Sequence, residues 1–243
     1  APGPRPGTWS TGASLVGPQN VVYTARNRFT YQGCNTGQGF VRAHDFETGK
    51  LLWDKSFDEV NNVGMAIGPV GPSGKLALVA APGDNEMLHW GSVPLWLPLV
   101  KWLEKPIRKY LNPSLELPMF SVVALEADTG KVMWSLRLSR ADYSLPGPLA
   151  PASLCAPDVF GNPSIDADGT VFISWSGGKA FAIRDANGDG KVDKADRREL
   201  SSFPHGYGAN ANPAMAPGFV VFTSCNNLVA FSSEGSYEEP GRI

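Results

Sequence analysis

The chain has 243 residues, of which 42% are hydrophobic, 10% aromatic and 18% charged, with a formal net charge of −2. It is too apolar and too weakly charged for a disordered chain, and it lacks the positive field that draws a polyanion, which excludes nucleic acid as a partner. Its 27 glycines and 21 prolines exclude a helical bundle, and no apolar run approaches the ~20 residues that span a bilayer.

In chain order the pattern is one of short strands and tight turns. The first copy of a repeat begins near Ser14-Leu15-Val16 and the second near Ala66-Ile67-Gly68. Val41-Arg42-Ala43-His44 leads into Glu47-Thr48-Gly49-Lys50-Leu51-Leu52-Trp53, and Val122-Val123-Ala124-Leu125 leads into Asp128-Thr129-Gly130-Lys131-Val132-Met133-Trp134. Two strands joined by a tight turn explain this order, because glycine takes the positive φ that the turn needs. Asn162-Pro163-Ser164-Ile165 and Asn212-Pro213-Ala214-Met215 open two further copies, each followed by an apolar strand. Gly177-Gly178 and Asn226-Asn227 then signal hairpins into Ala180–Ile183 and Leu228–Phe231.

The expected fold is therefore all-β over residues 1–243. It is a β-propeller-like array of about four four-stranded blades, a partial or small propeller with a period of roughly 50 residues and one helical or irregular insertion. The last copy lacks a Thr-Gly-Lys-x-x-Trp strand. Pro6-Gly7-Thr8-Trp9-Ser10 is similar to that strand and is expected to complete the final blade beside Leu228–Phe231.

The insertion, residues 85–118, interrupts the second copy. It carries Trp90, Trp96, Trp102 and Tyr110 among Lys101, Lys105, Arg108 and Lys109, and Pro98 and Pro106 limit it to short helical turns. Aromatic anchors beside basic residues suit docking to a partner protein or a membrane interface. Folding back over its own propeller is the alternative.

In the third copy the turn is replaced by residues 185–196, which follow the D-x-N-x-D-G pattern of a calcium loop. Hard Ca²⁺ takes six to eight oxygens, which alternate positions of a curled loop can supply. Asp185, Asn187 and Asp189 offer side-chain oxygens, Lys191 its carbonyl, and Asp193 a direct or water-mediated contact. Asp196 stands at position twelve, where sensor loops carry Glu, so the segment resembles a dockerin-like loop. A structural strand–loop–short-helix site is expected. Asp166-Ala167-Asp168-Gly169 is too short for a site and reads as a β-turn.

Cys34, Cys155 and Cys225 are odd in number and form no C-x-x-C pair, which leaves their disulfide state open and gives zinc no support. A non-cytosolic compartment (periplasm, organelle lumen or extracellular) is favoured. His44, His89 and His205 are well separated and make no metal pair.

The stretches VRAHDFETGKLLW and VVALEADTGKVMW resemble the blade repeat of quinoprotein-type propellers, a family that holds the pyrroloquinoline-quinone alcohol dehydrogenases and non-enzymatic relatives. The resemblance implies that Trp53 and Trp134 dock between neighbouring blades, and that a full ring has seven or eight blades where this chain shows four. The family's enzymes need a quinone in the central channel, a catalytic Asp, a Ca²⁺ against the quinone and often vicinal cysteines. No adjacent cysteines occur and no quinone-binding residue maps onto this chain, so the quinone is not expected. No nucleophile elbow, P-loop or dinucleotide fingerprint appears either. The favoured reading is a non-catalytic, calcium-stabilised scaffold or accessory subunit that docks to a protein or membrane complex through its insertion. The alternatives are a quinoprotein dehydrogenase, or a fragment of one, and an integrin-like surface- or carbohydrate-binding propeller.

Overall fold

The computed structural model describes residues 8–9, 14–29, 37–59, 61, 63–83, 119–139, 160–175, 178–204, 211–224 and 227–232. These form four antiparallel sheets, each built on a meander of neighbouring strands, with the opening strand of the first sheet paired out of chain order. The first sheet holds β1 (Thr8–Trp9), β2 (Leu15–Val16), β3 (Val21–Phe29), β4 (Gly37–Asp45) and β5 (Leu51–Phe57). The second holds β6 (Ala66–Val70), β7 (Lys75–Ala80), β8 (Met119–Glu126) and β9 (Val132–Ser139). The third holds β10 (Ser164–Ile165), β11 (Val171–Trp175), β12 (Lys179–Ile183) and β13 (Leu200–Pro204). The fourth has three described strands, β14 (Ala214–Ala216), β15 (Phe219–Thr223) and β16 (Leu228–Ser232). The sheets begin where the repeat does.

The turns follow from their residues. Gly49 and Gly130 sit at φ +67° and +68°, a region that β-carbons disfavour. Each closes the same turn: Asp45 N–H donates to Lys50 O and Gly49 N–H to Asp45 O, as Glu126 N–H does to Lys131 O and Gly130 N–H to Glu126 O. Thr48 donates its hydroxyl to Asp45, and Thr129 donates its own to Glu126. The Asp166–Gly169 segment is the β-turn its sequence indicates, with Asp166 Oδ1 accepting from the N–H groups of Asp168 and Thr170.

Alternation along each strand separates two faces, and the apolar ones join neighbouring sheets. Tyr23, Val41 and Ala43 of the first sheet share a core with Leu78, Ala80 and Leu125 of the second. The other face of the second sheet, with Val79, Val122 and Trp134, shares a core with Val171, Phe181 and Ile183 of the third. The third meets the fourth through Phe203, whose ring centroid lies 5.1 Å from that of Phe222 and 3.9 Å from that of Phe231. Ser164 and Ser174 also donate across that seam to the carbonyls of Pro213 and Ala211. The sheets thus pack in chain order, and among the described residues they do not close into a ring.

Two expectations are corrected. β1 does not complete the last sheet: Thr8 and Trp9 pair with Arg28 and Asn27 of β3. β3 is nine residues long while β2 covers only its start, so the far end of its edge is free to take β1. The loop of residues 185–196 leads into no helix. Asp193 Oδ1 accepts from Ala195 N–H and Asp196 Oδ1 from Arg198 N–H, local bonds that compete with helical ones.

Candidate functional site

The outermost strand of each of the first three sheets takes part in its seam with the next, and one equivalent position on that strand differs among the three. Ala43, Ala124 and Ala182 are equivalent, each two residues before the N–H that closes its turn (Asp45, Glu126, Arg184). Their partners on the outer strand are Trp53, Trp134 and Ser201.

At the first seam Trp53 reaches across to the turn of the second sheet. Its indole N–H donates to Ala127 O at 2.9 Å. A β-carbon on Gly130 would come within 2.6 Å of the indole, so the ring rests where only glycine fits. Tyr23 packs on Trp53, ring centroids 5.8 Å apart, and its hydroxyl donates to the same Ala127 carbonyl at 3.2 Å. Burial, and then the charge of Asp128, raises the phenol's pKa above its ordinary value, which keeps it a donor.

At the second seam Trp134 is 1% exposed, and the turn opposite is the acidic loop. Val192 of the loop packs against the core around Trp134, and a β-carbon on Gly190 would approach Met133 O at 3.1 Å. The loop therefore caps the second sheet's outer strand. Among the described residues the indole N–H of Trp134 has no acceptor. At the third seam Ser201 replaces the indole, and an open cavity of about 740 Å³ lies between the sheets, lined by Phe172, Met215, Val220, Phe231 and Asp168 among others.

The loop is curled by its own hydrogen bonds. Asp185, 5% exposed, accepts from Gly188 N–H at 2.7 Å and Gly190 N–H at 3.0 Å. Positive φ at both glycines allows the curl. Asn187 Oδ1 accepts from Asp189 N–H and Asp189 Oδ1 from Lys191 N–H. Buried Glu199, outside the twelve-residue pattern, accepts from Asp193 N–H at 2.7 Å and anchors the far end. Asp196 is gripped by Arg198, whose Nη2 lies 2.6 Å from Oδ2, and that bond holds its carboxyl below the usual range. Among the described residues no three His, Cys, Asp or Glu side chains converge as a metal cage. The curl and the donor types suit a hard cation, and Asp196 is at present paired with Arg198.

Glu199, Ala127 and Ser201 carry no motif, and hydropathy alone does not single them out. The docking candidates Trp90, Trp96, Lys101, Trp102, Lys105, Arg108, Lys109 and Tyr110, and all three cysteines, lie outside the described residues. Among the described residues no helix is long and apolar enough to cross a membrane. No known protein family's profile matches the chain, and no curated protein matches it.

Proposed function

We propose that the chain is a stretch of β-propeller of the quinoprotein-like type, stabilised by calcium, that works as a non-catalytic scaffold or accessory subunit. The observation that carries this reading is the serial seam. Four meanders pack in chain order, and the first two are joined by an indole laid on the next sheet's glycine turn. Such joints make a rigid array whose turns offer positions for interaction without chemistry.

Calcium would be held by Asp185, Asn187, Asp189, the Lys191 carbonyl, Asp193 and Asp196, and would lock the loop that covers Trp134. The Trp- and Lys-rich segment 85–118 is the proposed docking element, on its sequence alone. The test is to isolate the full chain and a form lacking residues 85–118 from the native source. The full chain should travel in a larger complex, or float with anionic vesicles, and the shortened form should not. Association that survives the deletion would remove the docking role. A quinone absorption band together with alcohol oxidation would replace the scaffold by the dehydrogenase alternative.

A further inference from the structure

The third and fourth sheets part at one end, and the cause is a difference in turn length. In the third sheet the five residues 166–170 join Ile165 to its partner Val171. That turn reaches the second sheet: a β-carbon on Gly169 would stand 2.9 Å from Val70 Cα and 3.0 Å from Gly71 N. In the fourth sheet only Pro217 and Gly218 join Ala216 to Phe219. So short a hairpin has no residues with which to reach back over the third sheet, and the cleft of about 740 Å³ opens beside it. Met215, Val220 and Phe231, one cross-strand row of the fourth sheet, form a wall of the cleft, and Phe172 of the third sheet contributes another ring.

Two carboxylates also line the cleft, Asp166 and Asp168, and its described lining holds no Lys, Arg or His. Asp166 Oδ1 accepts from the N–H groups of Asp168 and Thr170, which fixes the turn. Among the described residues, Asp166 Oδ2 and both Asp168 oxygens have no hydrogen bond or ion pair. An anion is repelled by this lining, and a neutral apolar molecule would strip water from the carboxylates without replacing it. A cation with an apolar body meets both demands. Its N–H groups donate to the carboxylates, the phenyl faces attract its charge, and its body covers the apolar row.

We propose that this cleft binds a small free ammonium compound with an aromatic or branched aliphatic body. The volume lies in the range of small-molecule sites, roughly 300–1,000 Å³. A lysine side chain of a partner protein brings the same charge on a thin methylene stem, which leaves the row of Met215, Val220 and Phe231 wet. The site goes beyond the scaffold reading and depends neither on it nor on calcium.

Phenethylammonium serves as the probe, followed by amide NMR shifts of the full chain. 2-Phenylethanol is the neutral isostere, and N-acetyl-lysine amide is the peptide-borne cation. Phenethylammonium should give saturable shifts at Asp168, Phe172, Val220 and Phe231, and should bind more tightly than either comparison compound. Asp168→Asn lies at an exposed turn position that Asn tolerates. It should weaken phenethylammonium roughly 2- to 5-fold, the range of an exposed ion pair, and leave 2-phenylethanol unchanged. Adding Asp166→Asn, which keeps the Oδ1 acceptor, should weaken the cation further. Absence of saturable shifts at these residues overturns the proposal, as does equal binding of the alcohol and the ammonium compound. Cation binding that is untouched by the double variant overturns it too. Binding of the lysine amide as tightly as phenethylammonium would overturn the assignment to a small free ligand.

Discussion

Trp53 and Ala127 are 74 positions apart in sequence and 2.9 Å apart between indole nitrogen and carbonyl oxygen. That bond, with the Tyr23 hydroxyl on the same oxygen, ties the first sheet to the turn of the second. It also explains why the motif places glycine and tryptophan where it does. The glycine turn leaves no side chain in the way, and an outer-strand tryptophan reaches the turn of the next sheet.

Breaking this joint should have a graded cost. Trp53→Phe keeps an aromatic ring but loses the N–H donor, and should destabilise by about 1 kcal/mol. Trp134→Ala removes a fully buried indole and should cost about 3–5 kcal/mol. Urea unfolding at constant slope measures both. If both substitutions prove neutral, the indoles do not hold the seams.

The third seam should be improvable. Ser201→Trp restores, opposite Ala182, the residue the first two seams carry at the equivalent position. A gain of about 1 kcal/mol is expected from the apolar area buried. The measurement is again the denaturation midpoint, and a loss would show that the third seam cannot take an indole.

Calcium should stabilise the fold through the loop. At 100 times its dissociation constant a ligand bound only by the native state adds about 2.7 kcal/mol. The melting temperature should rise with Ca²⁺ and fall with chelator. Asp185→Asn combined with Asp189→Asn should abolish the difference. The chelated wild type should also show red-shifted tryptophan emission, weaker in Trp134→Phe, because the loop covers that indole. A calcium response that persists in the double variant would reject these ligands.

Acid should weaken the turns in a defined window. Thr48 holds the Asp45 carboxyl below its ordinary pKa, Lys75 and Thr129 do so for Glu126, and Arg198 for Asp196. A folded-state pKa below the unfolded one gives stability that is complete above the unfolded value, about 4, and lost as pH falls through the folded value. Stability should therefore be unaffected by these groups between pH 6 and 8 and decline below about pH 4. All three are partly exposed, so each effect is small. Thr48→Val should bring the Asp45 pKa back toward normal, read by carboxyl NMR titration.

The starts of the sheets and the turns at Gly49 and Gly130 were legible because local chemistry decides them: positive φ selects glycine, and period-two apolar runs select strands. The seams were less so. Hydropathy marks Trp53 and Trp134 as candidates for burial but does not say against which sheet. β1 shows the limit most clearly. A Thr-Trp dipeptide can pair with any open edge, and the open edge of β3 is set by the length difference between β3 and β2, a tertiary property. In the acidic loop the curl could be read from its glycines. The anchoring Glu199 could not, since it lies beyond the pattern and acts through a fold-dependent bond to Asp193.

The most direct test of the seams compares Gly49→Ala with Gly130→Ala. Both place a β-carbon at the same positive φ, so both should pay a backbone cost of about 1–2 kcal/mol. Only Gly130→Ala drives that carbon into the indole of Trp53. The account predicts a larger loss of stability for Gly130→Ala, and an excess that shrinks in the Trp53→Ala background. Equal losses for the two substitutions, or an excess that survives without Trp53, would contradict it.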